Sequence, residues 1–180
     1  SSNVAVGSGT IELNTTGSDN TGLGYLALYA NTTASNNTAV GRSALAANTT
    51  GSFNVSLGSY TLDANTTASH NTGIGYNSLS ANTTGTRNVA LGSLALDANT
   101  TANDNTAIGY EALGANTTGG FNTAVGRNAL TANTTGANHV AVGASAMAAN
   151  TTGVQNTAVG EVSLTANTTG NTNAAFGIGA

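Results

Sequence analysis

Residues 116–132 read NTTGGFNTAVGRNALTA, and residues 48–64 read NTTGSFNVSLGSYTLDA. These are two copies of one unit. Its opening tripeptide recurs ten times, starting at Asn14, Asn31, Asn48, Asn65, Asn82, Asn99, Asn116, Asn133, Asn150 and Asn167, and the spacing is 17 residues throughout. A fixed period of this length means that one small unit is stacked along one axis. The function to look for is that of a rod rather than of a pocket. We treat residues 1–180 as a single repeat array with a partial unit at each end.

Numbering each unit from its first Asn, the consensus is N-T-T-[GA]-x-x-N-[TV]-[AGS]-[VIL]-G-x-x-[AST]-L-x-A. The charged residues, the tyrosines, Phe53 and Phe121 all fall in the fifth, sixth, twelfth, thirteenth and sixteenth columns. Those columns are expected outside or at corners. The tenth column is always apolar, from Val6 to Phe176, and the fifteenth is Leu apart from Ile11 and Met147. These two columns are the expected core.

The eighth and tenth columns are β-branched or aliphatic with a small residue between them, which is period two. Gly follows in the eleventh column of every unit, from Gly7 to Gly177. A helix does not fit a unit this short that holds an unvarying Gly, a frequent second Gly and Asn-Thr-Thr. The reading is an all-β parallel β-solenoid, or β-roll, of ten 17-residue coils plus partial end coils, with two or three short strands per coil. Ten and a half turns at ~4.8 Å make a rod roughly 50 Å long. The eleventh-column Gly is expected to need a positive φ or a close backbone approach. The fourth column needs only smallness, since Ala34, Ala68 and Ala102 occupy it. Stacked Asn residues of the first and seventh columns are expected to form amide ladders, with His139 the one replacement in the seventh.

Composition narrows the function. Only 6% of residues are charged, and the net charge is -4 with no Lys and three Arg, at Arg42, Arg87 and Arg127. That argues against a nucleic-acid surface. Pro, Cys and Trp are absent, and no apolar run approaches the ~20 residues of a membrane-spanning helix. The array starts and stops in mid-repeat without a polar cap. We therefore expect a segment of something longer or a processed chain, which continues into further repeats or stacks end to end into a filament.

The segments RNVALGSLA (87–95) and HVAVGASA (139–146) resemble the SVAIGxxS/A repeats of YadA-like trimeric autotransporter heads. The longer stretch NTAIGYEALGANTTGGFNTAVGRNALTANTTG (105–136) is similar to repeats of phage tail-fibre and related surface-fibre proteins. The resemblance runs through the whole chain and implies a parallel β-roll, three chains side by side, at a cell surface or on a virion. The Asn-Thr-Thr-Gly arm has no direct counterpart in the adhesin heads.

Several sites are candidates. Asn-Thr-Thr is an acceptor pattern for N-glycosylation, and Asn36 and Asn54 also qualify. Alternation from the fifteenth and seventeenth columns sends the second-column Thr inward and leaves the Asn outward and reachable. The competing reading is a structural corner with Asn in a ladder. The ninth column is uniformly small and, if the tenth faces in, must face out. Ala39, Ala90, Ala107, Ala124, Ala141 and Ala158 are thus a candidate self-association column, packing within the chain being the alternative. Tyr25, Tyr76 and Tyr110 share the twelfth column, either as scattered exposed rings or as a sugar-binding stripe.

Catalysis finds no support, since His70 and His139 are in different columns and no carboxylates pair at one level. No cofactor or metal is expected, and isolated Asp residues do not make a calcium cage. The expected function is a structural fibre or filament segment, extracellular or on a virion, that spaces, displays or attaches. One alternative is a receptor- or glycan-binding adhesin region. The other is an ice-binding solenoid.

Overall fold

The computed structural model describes residues 2–180. Each unit contributes one three-residue strand: β1 Val4–Val6, β2 Thr21–Leu23, β3 Thr38–Val40, β4 Val55–Leu57, β5 Thr72–Ile74, β6 Val89–Leu91, β7 Thr106–Ile108, β8 Thr123–Val125, β9 Val140–Val142, β10 Thr157–Val159 and β11 Ala174–Phe176. They form one 11-stranded parallel sheet in chain order. Every residue pairs with its own column, as in Ala107↔Ala124 and Ile108↔Val125. The chain is a β-solenoid in which one unit makes one turn, as the period predicts.

The expected second and third strands are absent among the described residues. Turns take their place, and they bond between coils as a sheet does. The N–H groups of Gly24 and Leu26 donate to Val6 and Ser8 of the preceding coil, at 2.9 and 3.0 Å. Those of Leu28 and Ala30 donate to Ala44 and Ala46 of the following coil, at 3.0 and 2.9 Å. The chain can alternate its donors this way because every second residue is left-handed: Gly24 at φ 136°, Leu26 at 57° and Leu28 at 53°. Non-glycine residues adopt this region at a cost of roughly 1–2 kcal/mol each. The inter-coil hydrogen bonds that this alternation provides offset that cost.

The eleventh column meets both expectations for its Gly. Gly75 has φ 132°, and a Cβ there would stand 2.6 Å from the Gly92 carbonyl oxygen. The fourth-column glycines do not have a left-handed φ, in keeping with the alanines that replace them.

The core corrects one expectation and upholds another. Fifteenth-column Leu28, Leu45, Leu62, Leu79, Leu96, Leu113 and Leu130 are fully buried. The strands, however, are turned over. Ninth-column Ala39, Ala90, Ala107, Ala124, Ala141 and Ala158 are all at 0% exposure, so they are core and not a self-association surface. The tenth column faces out instead, with Ile74 and Ile108 each 38% exposed. The physical reason is the thinness of the coil. The inward strand residue meets the fourteenth and fifteenth columns of the preceding unit, and only Ala, Ser or Gly fits there. Packing within the chain accounts for the small column.

Candidate functional surfaces

The first surface is internal. Asn48 Nδ2 donates to Asn31 Oδ1 at 3.1 Å and to the Gly51 carbonyl at 2.9 Å. The same pair of bonds recurs at Asn65, Asn82, Asn99, Asn116 and Asn133. The seventh column runs a second ladder. The Asn54 backbone N–H donates to Asn37 Oδ1 at 2.9 Å, and its Nδ2 donates to the Ala68 carbonyl of the next coil at 2.9 Å. Both ladders stand as expected, but they face inward.

That placement corrects the outward reading of the acceptor asparagines. Asn31, Asn48, Asn65, Asn82, Asn99, Asn116, Asn133 and Asn150 are fully buried, while Asn14 and Asn167 are half-buried. Nδ2, the atom a glycan would occupy, is tied up inside the coil. The second-column Thr is half-exposed and donates its hydroxyl to the next coil, as Thr49 Oγ1 does to the Thr66 carbonyl at 3.0 Å. Asn54 is buried as well, whereas Asn36 sits at an exposed corner with φ 60°.

His139 fits the seventh-column ladder without breaking it. Its Nδ1 accepts the Asn156 N–H at 3.2 Å, and Nε2 lies 2.6 Å from the Gly153 carbonyl. The carbonyl needs a donor, so the proton is on Nε2. Burial pushes the His139 pKa below the ordinary histidine value, against two backbone hydrogen bonds that raise it. His70 stacks flat on Phe53 at 5.1 Å in the sixth column. Both histidines serve the stacking of coils. Among the described residues, no three His, Cys, Asp or Glu side chains gather as a metal site.

The second surface is the outer face of the sheet. The eighth column holds Thr apart from Val4, Val55, Val89, Val140 and Ala174, and the tenth holds Val, Leu, Ile and Phe176. Every charged residue of the chain lies elsewhere. The face therefore forms one uncharged stripe along the whole rod.

The third surface is an edge formed by the twelfth, thirteenth and sixteenth columns. All five tyrosines are on it: Tyr25, Tyr29, Tyr60, Tyr76 and Tyr110. The Arg42 guanidinium lies over the Tyr25 ring at 5.9 Å and over the Tyr60 ring at 5.4 Å. Tyr60 and Tyr76 meet edge to face at 6.3 Å. Asp63 and Asp97 line the sixteenth column, and burial pushes both carboxyls up despite backbone N–H groups that act the other way. The neighbouring Glu111 carboxylate raises the Tyr110 pKa. The twelfth column shared by Tyr25, Tyr76 and Tyr110 is one part of this edge. A signal for the wider edge was present, since no tyrosine lies in any other column.

The fourth surface is the sixth-column corner. Arg87 there bonds Asp104 through Nε and a terminal nitrogen, at 2.6 and 2.9 Å. This bond holds the Asp104 carboxyl below the usual carboxylate range.

No family model matches the chain, and neither a curated protein nor a solved structure is significantly similar to it. No helix among the described residues is long and apolar enough to cross a membrane.

Proposed function

We propose that this chain is a structural fibre segment, a rigid spacer or display rod whose copies associate side by side through the outer face of the sheet. The observation that carries this reading is the uncharged stripe formed by the eighth and tenth columns. Ten coils at ~4.8 Å, with a face about 10 Å wide, make an uncharged strip of roughly 500 Å², apolar along the tenth column and mixed Thr and Val along the eighth. A contiguous exposed apolar row of this kind marks a contact surface. A second copy of the chain is the occupant that fits best. It repeats at the same spacing, so side chains can interdigitate coil by coil without a mismatch accumulating. It also brings no charge to be buried.

The self-association first assigned to the ninth column thus moves to its neighbours on either side. Three chains per rod is the number implied by the resemblance to trimeric heads and fibres. Outside a cell or on a virion is where the same resemblance leads us to look for it.

Sedimentation of the native chain and of an Ile108→Glu, Val125→Glu variant tests the proposal. The native chain is expected as a multiple of 17.4 kDa, and the variant as a monomer with an unchanged circular-dichroism spectrum. A native monomer would overturn lateral association. Ice binding is the second reading, favoured by the outward threonines of the eighth column. Its weakness is the uneven reach of Val, Leu and Ile beside them. Inhibition of ice recrystallisation by a native monomer would decide for it.

A further inference from the structure

We infer that the edge at the third and fourth full coils is a subsite for a neutral oligosaccharide, a binding function separate from the rod's assembly. A shallow groove of about 500 Å³ lies there, lined by Tyr60, Asp63, Tyr76, Asn77 and Ser80 together with two alanines. That volume is within the ~300–1,000 Å³ usual for small-ligand sites.

The groove is built by the repeat. Tyr60 is in the thirteenth column, at a left-handed φ of 58°. Tyr76 is in the twelfth column of the next coil. The column offset sets the two rings perpendicular, with an interplanar angle of 90°. Arg42 lies over the Tyr60 ring, 5.4 Å from its centroid, and helps hold it in place. Tyr76 is 55% exposed. One aromatic wall is thus fixed and the other is open to a ligand.

The lining chemistry selects the ligand class. A sugar ring has an apolar C–H face that packs on an aromatic surface, and a rim of hydroxyls that need paired donors and acceptors. Asp63 supplies two acceptor oxygens. Asn77 supplies an amide with both functions, and Ser80 a hydroxyl. Asp63 is half-buried, so its partly desolvated carboxylate is placed to accept hydroxyl donors. A basic peptide could also address Tyr and Asp, but Arg42 would oppose it, and Asp63 is the only carboxylate lining the groove. The edge does not repeat this arrangement at Tyr110. There Asp97 takes the place of Asp63, but Leu94 stands where Tyr60 does, Glu111 where Asn77 does and Gly114 where Ser80 does.

The test is titration of the native chain with cellohexaose, maltohexaose and chitohexaose, followed by the aromatic proton resonances of Tyr60 and Tyr76. At least one hexamer is expected to bind, with a dissociation constant of roughly 0.1–1 mM. Tyr76→Ala and, separately, Asp63→Asn should each weaken that binding about tenfold or more, a change of ~1.4 kcal/mol. Asp63→Asn nearly preserves side-chain volume, so it remains informative should Tyr76→Ala disturb the coil. Tyr110→Ala should leave binding unchanged. The inference is overturned if none of the three hexamers shifts these resonances, or if Tyr110→Ala weakens binding as much as Tyr76→Ala. It is also overturned if octalysine binds and the sugars do not.

Discussion

Gly73 lies directly against the methyl group of Thr61: a Cβ built on Gly73 would stand 2.6 Å from Thr61 Cγ2. Gly22 stands in the same relation to Thr10, again at 2.6 Å. Thr10 and Thr61 are the only threonines of the fourteenth column, and Gly22 and Gly73 the only glycines of the ninth. Elsewhere the pair is made of Ala and Ser, as in Ala95 with Ala107 or Ala44 with Ser56. The interior of each coil thus holds a nearly constant volume, shared between two residues 12 positions apart.

Gly73→Ala should therefore cost about 1–3 kcal/mol by overpacking. Adding Thr61→Ala should recover most of it, because the double variant reproduces the natural Ala95–Ala107 pair. Urea unfolding of the two single variants and the double variant measures the coupling. Additive costs would refute the shared volume.

The orientation of the strand can be tested one residue at a time. Ala107→Glu places a carboxylate in the sealed interior and should abolish folding or cost more than about 4 kcal/mol. Ile108→Glu, next to it, points outward and should leave the coil folded, with stability within about 1 kcal/mol in the monomer. Thermal melts at micromolar concentration would read both. Reversed tolerances would mean that the strand faces the other way.

The Asn ladder should behave as a set of mutually dependent bonds. Asn116→Ala removes the acceptor of Asn133 Nδ2, which now bonds it at 2.9 Å, and strands a buried donor. A stranded polar group of this kind costs about 1–3 kcal/mol. Thr118→Ala, at an exposed position two residues on, should be nearly neutral. Equal melting temperatures for the two variants would count against a structural role for the ladder.

His139 should make stability depend on pH. Its folded pKa is pushed below the ordinary value, so in the acid range the unfolded chain binds more protons than the folded one. The contribution is complete above about pH 6.5, the unfolded value, and is lost progressively as pH falls towards the lower folded value. The native chain should lose stability as pH falls below about 6.5 relative to His139→Asn, which restores the ladder residue. Asp63 and Asp97, with raised carboxyl pKa values, act in the opposite sense, gaining stability as pH falls from the folded value towards ~3.8. They are common to both chains and cancel in the comparison. Parallel pH profiles would remove His139 as the cause.

Much of this molecule could be read before any coordinates. The period is carried by residues whose constraints are local. Gly75 must be Gly because its φ of 132° and the Gly92 carbonyl leave no room for a Cβ, and such a column stays uniform in sequence. Leu113 fills one coil and touches the same column above and below, so a uniform Leu column announces a core. Tolerant columns announce the outside. From these alone come one turn per unit, parallel stacking and the corners.

Which side of the strand faces in was decided only by the tertiary structure. Thr106-Ala107-Ile108 has period two, and period two defines two faces without saying which one is buried. Hydrophobicity argued for Ile108, and in a thick core it would have prevailed. Here the strand closes on the fourteenth and fifteenth columns across a gap that admits nothing larger than a serine side chain, so Ala107 goes in and Ile108 goes out. The Asn column followed the same rule. Asn116 is polar, yet it belongs inside, because stacking gives its amide a partner on each side and the turn supplies a carbonyl. The Tyr60–Tyr76 groove exists only once coils are superposed, since its walls are 16 residues apart in the chain and meet through the offset of neighbouring turns.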